Sequence, residues 1–494
     1  MKAAYRDLLK HSGIYFIGQV LGRLASFVLL PVYTRCLTPA DYGCIAVLDL
    51  AANLLTLLIG ANVASAVARY HFEAKDEAAR DRVWWSGFIY QAAAATVILL
   101  PLWALKDYAA TFLLGREELG ASAFVALTLP TIWVNILGAL PEVHLRVRKQ
   151  STLFVYVSLG RLLFNMVLNI VLLVVFEMGV SGILAGNLIT GVLYALALCF
   201  LFQRKRGACV VDLAILRRLL AFALPLLGTA ILQMIMNQGD RYFLRVFSGM
   251  QEVGLYSIAF SLVQAVNTLV MLPFGQIWNV VMYEIAEHPD SQAFYGKVFR
   301  IYSGFIMVLL FGVALGSRLI IAILTSPEYA PAAEIVPLLC LAFWVFSLQQ
   351  FFNLPAMLAK RTQLLLPGSI IACVLSVLGN LVLVPRLNAL GAAITLLTAF
   401  TFYNFVNHAV ARRLKPVPLP IKGSLLAALA LTGLYLAFDA FVPRGRLGDW
   451  TSYVGPIAVW AGPALLFGAY ALHEWRRIRE RSPAQAPKEP TPVA

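Results

Sequence analysis

Apolar stretches of some twenty to thirty residues follow one another along almost the whole chain, separated by short polar breaks. A helix needs about 20 mostly apolar residues to cross a bilayer, so this pattern predicts about fourteen membrane-spanning helices. They begin with spans over roughly 12–34 and 43–68 and end with spans over 421–442 and 452–473. Landmarks in the first half return in the second at one offset, about 211 residues. Gly43 is matched by Gly254, Trp133 by Trp344, Lys149 by Lys360 and Asn169 by Asn380. Each half then holds six spans, so both halves enter the membrane in the same sense, a parallel repeat about an axis along the membrane normal. The predicted fold is all-α and polytopic. An N-lobe covers residues 1–207 (spans one to six), a C-lobe 208–415 (spans seven to twelve), and two extra C-terminal helices 416–480. The proline-rich stretch 481–494 reads as a disordered tail.

Polar residues inside the spans keep helical spacing. Gln19, Arg23 and Ser26 share a face of span one, and Asp49, Asn53 and Thr56 a face of span two. Span five carries Ser158, Arg161, Asn165 and Asn169, span seven Gln233 and Asn237 with Asp240 at its end, and span eight Ser257, Ser261, Gln264 and Thr268. Two readings stay open. Amides and hydroxyls in stripes can be hydrogen-bonding glue between helices, or they can line a wet cavity. For the two intramembrane arginines, an ion pair such as Arg23 with Asp49 competes with a cationic patch for an anionic substrate group, which a guanidinium fits well.

Charge settles the expected topology. Net charge is +14, but roughly 28 of the 39 lysines and arginines fall in the N-terminus, the even-numbered loops and the C-terminal tail. That asymmetry places both termini in the cytoplasm, and it accounts for the basic balance without nucleic acid. The six cysteines form no metal-ligand spacing. Cys36 and Cys44 share a predicted external loop, where pairing stays open. Six dispersed histidines, no HExxH, no GxxxxGK[ST] and no sizeable external loop argue against an enzyme and imply no cofactor.

The stretch Leu37-Thr38-Pro39-Ala40-Asp41-Tyr42-Gly43, following a proline-containing exit from span one, is similar to the first helix pair of Wzx-type polysaccharide flippases. These belong to the multidrug/oligosaccharidyl-lipid/polysaccharide (MOP) superfamily. The basic segment Arg146–Gln150 before an Asn-bearing span five strengthens the resemblance, which covers residues 10 to 415. It implies a flippase of the bacterial inner membrane that carries an undecaprenyl-pyrophosphate-linked oligosaccharide, such as an O-antigen or exopolysaccharide unit, by alternating access. Arg23 lies where the related lipid II flippases also carry arginine, and Met234 stands at its repeat-equivalent. On this reading Arg23 and Arg161 contact pyrophosphate. Gln19, Asn53, Asn165, Gln233, Asn237 and Gln264 bond sugar, and Asp49 and Asp240 couple or gate. Coupling to a proton or sodium gradient fits the family. Membrane lipids, a polysaccharide polymerase and a chain-length regulator are the partners it suggests. The rivals are a multidrug extruder of the same superfamily and a non-transporting scaffold for glycan synthesis.

Overall fold

A computed structural model describes residues 29–116, 118, 120–148, 150–203, 209–411, 414, 417–441 and 450–481. Most of span one, the basic clusters at 204–206 and 412–413, and the stretch after Arg481 lie outside these residues, and with them Gln19 and Arg23. Among the described residues every regular element is helical. In hydrocarbon each backbone polar group must find its partner within its own segment. The protein is an all-α, multi-pass membrane protein.

The α-helices of eight residues or more begin with α1 (Pro39–Gly60), α2 (Val63–Glu73), α3 (Glu77–Ala104), α4 (Lys106–Leu114), α5 (Ala121–Val147) and α6 (Ser151–Ile170). Next come α7 (Gly179–Gln203), α8 (Leu213–Gln238), α9 (Asp240–Phe247), α10 (Met250–Val266) and α11 (Leu272–Glu284). The last are α12 (Ser291–Leu324), α13 (Val336–Ser347), α14 (Leu366–Ala411), α15 (Ile421–Phe441) and α16 (Trp450–Arg481).

Twelve described helices are long and apolar enough to cross a membrane, against the fourteen expected. Most of expected span one lies outside the described residues, and α14 covers two of the expected spans. Its 46 residues would reach about 69 Å if straight, twice the hydrocarbon thickness. Asn388 breaks it with φ 49° and ψ −132°. Gly368 then faces Asn407, Gly379 faces Thr395 and Gly391 faces Leu383. Those pairs close in on Asn388, so α14 is an antiparallel hairpin that joins expected spans eleven and twelve.

Span two starts at Pro39 rather than 43, and a capping box explains it. Thr38 Oγ1 accepts from the Asp41 backbone N–H at 3.2 Å, and Asp41 Oδ2 accepts from that of Thr38 at 3.0 Å, with Pro39 opening the helix. The expected external loop therefore shrinks to Leu37 and Thr38. Cys44 is buried inside α1 while Cys36 is exposed before it, and both thiols are free.

One contact ties the halves together, and one hydrogen-bond pattern recurs within each. Gly43 of α1 and Gly254 of α10 let those helices touch backbone to backbone. A Cβ on Gly43 would lie 2.0 Å from the Met250 carbonyl oxygen, and one on Gly254 would lie 1.8 Å from that of Pro39. The 211-residue offset carries Pro39 onto Met250 and Gly43 onto Gly254, so the contact is its own image, as at a two-fold interface. The tryptophans repeat a contact within each half. Trp133 Nε1 donates to Thr96 Oγ1 (3.0 Å), which in turn donates to the Ala92 carbonyl, while Trp344 Nε1 donates to the carbonyl of Ser303 (3.2 Å), the residue equivalent to Ala92.

Helices α15 and α16 lie against α12. Gly304 and Gly312 leave notches for Phe467 and Trp460, and Trp460 Nε1 donates to the Val308 carbonyl at 2.9 Å.

Candidate functional site

A polar cavity of about 570 Å³ lies among α1, α5, α6 and α7, all in the first half of the chain. That is the size of a small-molecule site, yet its wall is unusually rich in amides and hydroxyls. Helix α1 presents Asp49, Asn53 and Thr56 at helical spacing, and α5 presents Thr128, Thr131 and Asn135. Helix α6 adds Ser158, Arg161 and Asn165, and α7 adds Asn187 and Thr190.

Arg161 is held from two sides. Its Nη2 donates to Asn135 Oδ1 at 3.0 Å, and its guanidinium carbon lies 4.5 Å from the centre of the Tyr194 ring. A cation stacked on an aromatic face and hydrogen-bonded along one edge keeps its remaining donors for a ligand. Asn165 is the hub of an amide cluster. Its Nδ2 donates to Asn187 Oδ1 (3.0 Å) and Thr190 Oγ1 (3.3 Å), and its Oδ1 accepts from Asn169 (3.2 Å). Asn169 also donates to the Tyr33 hydroxyl at 2.9 Å and seats its carbonyl oxygen against Gly186.

Of the residues singled out from sequence, Asp49, Asn53, Arg161 and Asn165 meet on this wall. Gln233, Asn237, Asp240 and Gln264 do not line it. Asn237 turns back on its own helix, donating to the Gln233 backbone carbonyl at 2.7 Å. Asp240 is buried and capped, since the Tyr256 hydroxyl donates to Oδ2 and the Arg241 backbone N–H to Oδ1. Gln19 and Arg23 fall outside the described residues, and so does the Arg23–Asp49 pair. Sequence reasoning passed over Asn135, Asn187, Thr190 and Tyr194. Their signal was present, for Thr128, Thr131 and Asn135 step by three and four, as do Asn187, Thr190 and Tyr194.

At the equivalent positions the second half is apolar. Phe260 stands where the repeat has Asp49, Phe343 where it has Ile132, Phe346 where it has Asn135, and Ala372 where it has Arg161. The rings pack in a chain, with Phe260 5.3 Å from Phe343, Phe343 6.0 Å from Phe346, and Phe346 4.9 Å from Phe400.

A family model described as "Polysaccharide biosynthesis protein" matches residues 8–278, more than half of the chain. The lipid II flippase MurJ in an inward closed conformation matches with TM-score 0.70 at 13% identity, covering 94% of this chain and 99% of that one. A MATE-family multidrug resistance transporter of the MOP superfamily in its inward-facing conformation gives TM-score 0.63 at 14% identity, over 84% and 96%. An outward-facing MATE structure gives 0.58 at 14%, over 82% and 95%. At such identities the likeness fixes the fold, that of MOP-superfamily transporters. No curated protein matches.

Proposed function

The chain belongs to the polysaccharide biosynthesis protein family, and from that premise we propose that it is a flippase moving an undecaprenyl-pyrophosphate-linked oligosaccharide across the bacterial inner membrane. The observation that carries this reading is the cavity wall. Sugar hydroxyls leaving water need partners, and a wall of asparagines, threonines and a serine supplies both donors and acceptors. Arg161, braced by Asn135 and Tyr194, is the arm for a phosphate oxygen. Movement across the membrane is alternating access between the halves 1–207 and 208–415 about the Gly43–Gly254 crossing. Both termini lie in the cytoplasm, and an ion gradient drives the cycle. A polymerase and a chain-length regulator act beside it. An extruder of organic cations would need an uncompensated carboxylate in the cavity. Here Asp49 shares its wall with Arg161, which favours a substrate carrying negative charge.

The test is glycan export in cells with the chromosomal copy deleted. Arg161→Ala is expected to abolish export at normal protein level. Arg161→Lys is expected to restore it only in part, because an ammonium keeps the charge but loses the planar fork. Full export by Arg161→Ala would remove the cavity as the substrate site.

A further inference from the structure

An apolar groove of about 390 Å³ runs between α3 and α5 and shares no residue with the polar cavity. Seven residues line it. The 211-residue offset carries every one of them onto a residue lining a second groove, of about 360 Å³, between α12 and α13. Leu100 falls on Phe311, Trp103 on Ala314 and Trp133 on Trp344. One groove has been made twice.

The two copies differ in what lies over them. Helix α15 roofs the second, laying Ala428, Leu431, Tyr435 and Asp439 along it at steps of three and four. Near the end of that helix Asp439 Oδ1 accepts from Arg318 Nη2 at 2.7 Å. Under the roof Phe311, Ala314 and Trp344 are 6%, 6% and 4% exposed. Their counterparts Leu100, Trp103 and Trp133 are 62%, 44% and 37% exposed, and among the described residues no helix covers them. In a membrane such exposure alone is ordinary, because lipid chains are as apolar as leucine. The edge of the groove is what distinguishes it. Arg318 stands one turn past Ala314, and the offset carries it onto Asp107, one turn past Trp103. The sign of the charge is reversed. Asp107 is exposed, its Oδ1 accepts from the Ser122 hydroxyl, and among the described residues no cation pairs with it. Its neighbour Lys106 lies instead over the Trp103 ring, 5.6 Å from the centre. A helix seated here as α15 is seated in the other half would meet Asp107 where α15 meets Arg318, so it must carry a cation at that level. This excludes α15 of a second copy, whose Asp439 would face Asp107 with like charge.

We propose that the α3–α5 groove is a docking face for a membrane-spanning helix of another protein, apolar along the buried face and bearing a lysine or arginine level with Asp107. The partner takes in the first half the place that α15 takes in the second. Packing into a preformed groove drives such association in lipid, and the charge at the edge decides which helix fits. Nothing in this depends on what the cavity carries.

The experiment uses the full chain in the membranes of its own cells, with the photoreactive residue benzoylphenylalanine replacing Leu100. Illumination should link it to one other membrane protein. Peptide mass spectrometry should place the link in a membrane-spanning segment with a lysine or arginine in the turn at its near end. Asp107→Lys should cut that product about fivefold, and replacing the partner's cation by aspartate in the same cells should bring it back. The same probe replacing Leu196, which is 63% exposed on α7, should not give the product. A melting curve of each purified variant checks folding. Should Asp107→Lys misfold, Asp107→Asn removes the same charge while keeping an acceptor for Ser122, and should lower the yield in the same direction. The proposal falls if the probe at Leu100 links only to lipid, to a second copy or to its own chain. It falls equally if the captured segment has no basic residue at that end, if Leu196 captures it as well, or if neither Asp107 variant changes the yield.

Discussion

Positions 49, 132, 135 and 161 in the first half and 260, 343, 346 and 372 in the second occupy the same places in the repeat, yet they solve opposite problems. The first set leaves a void walled by Asp49, Asn135 and Arg161. The second closes the space with Phe260, Phe343 and Phe346 and leaves only Ala372 where the arginine would be. Within a membrane, a polar group with no partner costs several kcal/mol, so a polar void persists only if water or a ligand fills it. An aromatic cluster needs neither. One half keeps a polar void, and the other is filled with rings.

Five substitutions, taken from the largest effect to the smallest, can break or sharpen that contrast. The largest effect on stability should come from Phe346→Ala, which empties a filled site and should cost about 3 kcal/mol, the lower end for such truncations because lipid supplies no hydrophobic drive. Thermal unfolding in detergent should show it. Asn135→Ala, its counterpart, should cost about 1 kcal/mol yet reduce export at least as much, because Arg161 loses the acceptor that aims it. If both variants lose stability and export in the same ratio, the division of labour is wrong. Next come Gly43→Ala and Gly254→Ala, each of which forces a methyl onto a carbonyl oxygen and should cost about 1–3 kcal/mol. The two should be nearly equal, since the contact is its own image, and a twofold gap between their losses would show that the crossing is not symmetric. Smallest is Arg318→Ala, which removes a 2.7 Å pair with the partly exposed Asp439 between α12 and α15. It should move stability by less than about 1 kcal/mol, and less still in high salt.

The helical, membrane-spanning fold and the face each polar stripe occupies were legible because hydrophobicity and helical spacing are local properties. What lies opposite a face is not local. Asn237 and Asn165 sit in stripes of the same kind, yet one bonds its own helix's backbone and the other bridges α6 to α7 at the cavity. Arg241 reads in sequence as an ordinary external-loop cation, and only the packing of α9 behind Phe260 makes it buried. The break at Asn388 and the capping box at Thr38 could be read more easily, because a helix end must satisfy its own backbone groups whatever surrounds it.

The Gly43–Gly254 crossing has a consequence for descent as well as for packing. Everywhere else a duplicated chain can let its copies drift apart, as Arg161 and Ala372 have done. At the crossing each glycine touches the backbone of the other copy, so neither can gain a side chain without pushing the opposite helix away. Selection on one copy is enforced by the other, and the pair should outlast every other trace of the duplication. In relatives too diverged for their halves to be aligned, two glycines near the starts of the second and eighth spans are the place to look for the ancestral repeat.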